Sequence, residues 1–130
     1  ADIIVNALGT NDNNAGDMAV LQATVEQVYQ NLSDYFAACK AAGFVTVGYT
    51  ITPSNDSGMN VTHEVFEANR LELNNMLRTN SPADHLIDLA SVPELQNPYN
   101  TTYYQADRLH LAAAGYAIVG QMAATVLNNH

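Results

Sequence analysis

Apolar residues along the chain follow two alternating rhythms. Residues 2–8 (DIIVNAL) form a short, nearly continuous apolar and β-branched run. That is the pattern of a strand buried on both faces of a parallel sheet. A turn-rich loop, GTNDNNAG, follows at 9–16. From 17 to about 42 the apolar positions Val20, Val25, Val28, Leu32, Tyr35, Phe36 and Cys39 recur mostly at spacings of three and four. This predicts an amphipathic helix, with Gly43 placed to end it. Residues 44–51 (FVTVGYTI) predict a second strand, closed by Thr52 and Pro53 and followed by the polar loop PSNDSGMN. Thr62 suits the N-cap of a helix from 63 to about 78, where Val65, Phe66, Leu71, Leu73, Met76 and Leu77 are the apolar positions. Residues 85–89 (HLIDL) predict a third short strand and 93–105 an irregular stretch. An Ala-rich helix is expected over 111–127, interrupted by Gly115 and Gly120.

Strand, helix, strand, helix, strand, loop, helix is the order of an α/β fold built from right-handed βαβ crossovers. We therefore expect one domain, 1–130, with a parallel sheet covered by helices on both faces. In such sheets ligands sit beyond the C-terminal ends of the strands. Three segments emerge there: 9–14, 52–58 and the loop leading to His110.

Charge narrows the range of partners. The 130 residues carry a net charge of −9, with Lys40, Arg70, Arg78 and Arg108 as the only strong cations. A phosphate backbone or an anionic membrane would be repelled, so nucleic-acid and membrane partners are set aside. Apolar content of 48% offsets chain entropy and argues against disorder. No apolar run approaches the roughly 18 residues of a membrane span. Cys39 is alone, so an intrachain disulfide is excluded, and it reads as a small buried apolar residue. Sequons occur at Asn31, Asn55, Asn60 and Asn100, and carry meaning only in a eukaryotic secretory pathway.

Two motifs can carry chemistry. Gly9-Thr10-Asn11-Asp12 directly follows the first predicted strand. Its glycine permits close backbone approach, and the Asn11 amide can donate to a developing oxyanion. The plainer alternative is a loop with a helix-capping Asp or Asn. Asp107-Arg108-Leu109-His110 leads into the last helix. A carboxylate three residues before a histidine can fold back onto Nδ1, fix the tautomer and leave Nε2 to take a proton. The plainer alternative is a surface Asp near a helix-terminal His.

Together, LGTND after a strand, VTVGYTITP in the middle and DRLHLAAAGY near the end resemble the SGNH/GDSL hydrolases over nearly the whole chain. The resemblance implies a three-layer, flavodoxin-like fold with a truncated sheet. It implies acyl- or acetyl-ester hydrolysis with Gly9 and Asn11 in the oxyanion hole, His110 as general base and Asp107 as its orienting carboxylate. It further implies no cofactor or metal, a small-molecule ester as substrate, a bracing role for Asp12, a packing role for Gly115-Tyr116, and a secreted or periplasmic location.

The pattern is incomplete. The family's Gly-Asp-Ser nucleophile turn lies upstream of the block that opens this chain, and Ser33, Ser54, Ser57, Ser81 and Ser91 lack its strand-plus-glycine context. We expect weak or no esterase activity from this chain alone. The first strand should then stand as an edge, inviting a homo-oligomer or a complementing N-terminal segment. The rival reading is a non-catalytic SGNH-like module that self-associates or binds a partner; a flavodoxin-like response or binding domain is a third. His63, His85 and His130 are too dispersed for a metal site. Tyr99, Tyr103 and Tyr104 are read either as an aromatic wall or as a packed loop cover. Asp84 and Asp88 have no reason to share a cleft.

Overall fold

The computed structural model of the chain describes residues 2–6, 24–56 and 61–129. Along these run β1 (Ile3–Asn6), α1 (Val25–Ala41), β2 (Val45–Tyr49), α2 (His63–Thr79), β3 (His85–Ile87), two 3-10 turns (Leu89–Ser91 and Pro93–Leu95) and α3 (Ala113–Asn128). The three strands are parallel in the order β1-β2-β3, with Ile3 opposite Val45 and Val47 opposite His85. The fold is thus α/β, as expected. The predicted strand residues 7–8 and helix residues 17–23 lie outside the described residues.

Strands that advance in one direction through right-handed crossovers leave both crossover helices on one face. Val28, Leu32 and Phe36 of α1 accordingly share a core with Phe66, Leu73 and Leu77 of α2. Burying each such side chain contributes about 1.5–3 kcal/mol. Gly48 makes this approach possible: a Cβ there would stand 3.2 Å from the Phe36 ring and 3.4 Å from the Ala83 side chain. Val47 and Ile87 point the other way. They join Leu89, Leu95, Tyr104 and Leu111 beneath Ile118, Met122 and Val126 of α3.

Local chemistry sets the helix ends. The Thr24 hydroxyl accepts from the Gln27 amide and that of Thr62 from the Val65 amide, so both crossover helices begin on a threonine cap. Gly43 follows α1 at φ 92°, a backbone that favours glycine.

Some expectations are corrected. Tyr35, Val65 and Leu71 face solvent, because the buried stripes of α1 and α2 are narrower than their runs of apolar residues. Cys39 is half-buried, not buried. β3 stops at Ile87, where Asp88 turns its carboxylate to the Thr50 hydroxyl and the Arg78 guanidinium. Residues 93–95 form a 3-10 turn inside the stretch expected to be irregular. Among the described residues β1 pairs only with β2, and Val5 is exposed.

Candidate active site

Residues on α2 first fix the chain leaving β2. Ile51 donates its amide to Asn74 Oδ1 (2.8 Å), and its carbonyl accepts from Asn74 Nδ2 (2.8 Å) and from Arg70 Nη1 (3.0 Å). Asn74 is fully buried and Arg70 nearly so. The Glu67 carboxylate grips the Arg70 guanidinium through Nε and Nη2, and this pairing holds the Glu67 carboxyl below its usual range. A buried cation is tolerated because it is paired with a carboxylate and each of its three nitrogens donates a hydrogen bond. The backbone entering residues 52–56 is thereby anchored.

That anchored segment holds the Asp107–His110 loop. The Arg108 carbonyl accepts from the Asn55 amide (3.0 Å) and from the Ser54 hydroxyl (3.1 Å). Among the described residues Arg108 is the one non-glycine with positive φ, 58°. This left-handed backbone costs about 1–3 kcal/mol and persists where surrounding contacts impose it. Here the imposing contacts are those two bonds and the Tyr99 ring, whose centroid lies 4.8 Å from the Arg108 guanidinium. Asn55 Nδ2 in turn donates to the Tyr99 hydroxyl at 2.7 Å. The loop stem is closed by an antiparallel bridge between two buried residues, Tyr104 and Leu111. Gly115 lies under this stem: a Cβ there would collide with the Tyr103 carbonyl oxygen, which accepts from the Ala112 amide.

Within this frame the Asp107 carboxylate folds back as its spacing predicts. Oδ1 accepts from the Leu109 and His110 amides, each at 3.0 Å, and Oδ2 lies 2.5 Å from His110 Nδ1. The imidazole, joined by the two amides, pulls the Asp107 carboxyl down to about 2. Asp107 is therefore ionised throughout the neutral range and favours the tautomer with the proton on Nδ1. The His110 side chain is 60% exposed. With Nδ1 on Asp107 and the side chain largely exposed, Nε2 is the nitrogen available to exchange a proton.

The sequence-predicted residues divide accordingly. Asp107 and His110 are brought together, and segments 52–56 and 107–110 meet. Gly9, Asn11 and Asp12 lie outside the described residues, as does Ser57. Ser54 is buried and donates to the Arg108 carbonyl, which gives it a structural role. Gly115 packs as expected, whereas Tyr116 is 52% exposed and does not. The tyrosines split: Tyr104 is buried with its hydroxyl on the Leu95 carbonyl, Tyr103 packs beside it, and Tyr99 is exposed. Asp84 binds the Thr46 amide and hydroxyl, while Asp88 binds Thr50 and Arg78. These two carboxylates tie β3 to its neighbours and do not share a cleft. Among the described residues no three His, Cys, Asp or Glu side chains cluster closely enough for a metal ion, and no helix is long and apolar enough to cross a membrane.

The roles of Arg70 and Asn74 escape the sequence reading. Their one signal is that both occupy the buried stripe of α2, interleaved with Phe66, Leu73 and Leu77. Arg108 offers no signal, since its backbone conformation depends on residues more than fifty positions away. No protein-family model matches the chain, and the search of curated proteins gives no match.

Proposed function

We propose that this chain carries the proton-transfer half of an SGNH-type carboxylic ester hydrolase, in a flavodoxin-like fold. The carrying observation is the His110 imidazole, held on Nδ1 by a doubly anchored Asp107 with Nε2 open. Such a pair takes a proton from an attacking hydroxyl and returns it to the leaving alcohol. The Asp107 charge stabilises the imidazolium formed in between. Asn11 and Gly9 would donate to the oxyanion, as the sequence resemblance implies.

Three further observations support the reading. In the flavodoxin-like order 2-1-3-4-5 the last three strands are consecutive neighbours, as β1, β2 and β3 are here. Two crossover helices share one face and the final helix covers the other. The Asp107–His110 loop also meets the segment that leaves the C-terminal end of β2, the edge where α/β sheets bind ligands.

Among the described residues Ser54 is committed to the Arg108 carbonyl; without an activated serine, the His110 pair would direct water at the ester. The test is hydrolysis of p-nitrophenyl acetate by the chain and by His110→Ala. We expect turnover well below the ~1–1,000 per second of typical enzymes, falling a further ~100–10,000-fold toward background in His110→Ala. An unchanged rate in His110→Ala would overturn the hydrolase reading.

A further inference from the structure

An open pocket lies between residues 53–55, the first turns of α2 and residues 96–99. It shares Asn55 and Tyr99 with the contacts that hold Arg108, two residues before His110. We propose that this pocket binds a neutral, hydroxyl-rich group, a sugar ring, as the alcohol portion of the ester. The inference rests on the hydrolase reading for its connection to catalysis, and on the pocket's own chemistry for the ligand.

That chemistry is one of polar groups held in place with one valence unused. Asn55 spends Nδ2 on the Tyr99 hydroxyl (2.7 Å), leaving its carbonyl oxygen to accept and the phenol proton to donate. Asn97 spends its carbonyl oxygen on the Tyr99 amide (3.0 Å), leaving its NH2. Gln96 spends its NH2 on the Ala90 and Val92 carbonyls (2.6 and 2.9 Å), leaving its carbonyl oxygen. The lining side chains thus offer both donors and acceptors, as sugar hydroxyls require. Because each side chain is already fixed, little entropy is lost on binding.

Tyr99 supplies the apolar complement. Its ring is 55% exposed and lines the pocket, with the Arg108 guanidinium 4.8 Å from its centroid. The electron-rich face of an aromatic ring suits the weakly positive C–H face of a pyranose. Other ligands fit less well. A fatty acyl chain would strip water from three side-chain amides and repay none of their hydrogen bonds.

Amide NMR of the full chain titrated with cellobiose tests this. Saturable shifts are expected at Asn55, Asn97 and Tyr99. Affinity should fall about tenfold, ~1.4 kcal/mol, in Tyr99→Ala, and by less in Tyr99→Phe, which keeps the ring and guards against loss of folding. His110→Ala should bind cellobiose unchanged while losing hydrolysis, so the pocket and the hydrolase reading can fail separately. Absence of saturation by cellobiose, or saturation of the same resonances by hexanoate instead, would overturn the proposal.

Discussion

Asp88 and Asp107 are both carboxylates held below their ordinary range, and what holds them differs. Asp88 receives two bonds from the Arg78 guanidinium, each 2.8 Å, and one from the Thr50 hydroxyl at 2.8 Å. The Arg78 pairing is the main cause of its lowered pKa. Asp107 receives two backbone amides and an imidazole. Arginine stays charged at any accessible pH, so the first arrangement can only hold chains together. An imidazole can both take up and release a proton, and His110 uses only Nδ1 to hold Asp107. A perturbed carboxylate therefore points to chemistry only when its partner can pass a proton on.

Substituting the two aspartates tests that contrast directly. Asp107→Asn preserves an oxygen for the Leu109 and His110 amides but turns an NH2 toward Nδ1, forcing the imidazole proton onto Nε2. His110-dependent ester hydrolysis should drop by roughly 100-fold or more. Asp88→Asn should leave that rate unchanged. If both variants lost activity equally, the distinction between them would fail.

Stability should move in the opposite sense. Asp88→Asn weakens a partly exposed ion pair and a hydroxyl bond linking β2, α2 and β3. A cost of about 0.5–1.5 kcal/mol is expected in urea unfolding. Asp107→Asn keeps the backbone bonds of its turn and should cost less.

The smallest effect concerns acid. A carboxyl whose folded pKa is depressed to about 2 contributes stability that is fully present above its unfolded value, near 3.9. That contribution is lost as pH falls from there toward 2. Asp107→Ala should therefore flatten the stability profile between about pH 4 and 2 and lower it by a constant amount above about pH 4. A change of slope near neutrality would assign the linkage to another group.

The same contrast marks what the sequence made legible. Asp107 and His110 are three residues apart, so their pairing is a local event that spacing alone can anticipate. The caps at Thr62 and Gly43 and the run of β2 are local in the same sense. Tyr35 and Leu71 were misplaced because an apolar residue at helical spacing need not lie within the narrow stripe that tertiary packing buries. The contacts of Arg108 with Ser54 and Asn55 are long-range. So are those of Ile51 with Arg70 and Asn74. Nothing in either segment announces the other. The Asp107–His110 pair could be read from the sequence; the scaffold that holds it could not.

The central claim is that Asp107 sets the proton position on His110. Nitrogen-15 NMR of the neutral imidazole reports that position without substrate. The account predicts a neutral ring protonated on Nδ1 in the unmodified chain and on Nε2 in Asp107→Asn. A ring protonated on Nε2 in both would contradict it.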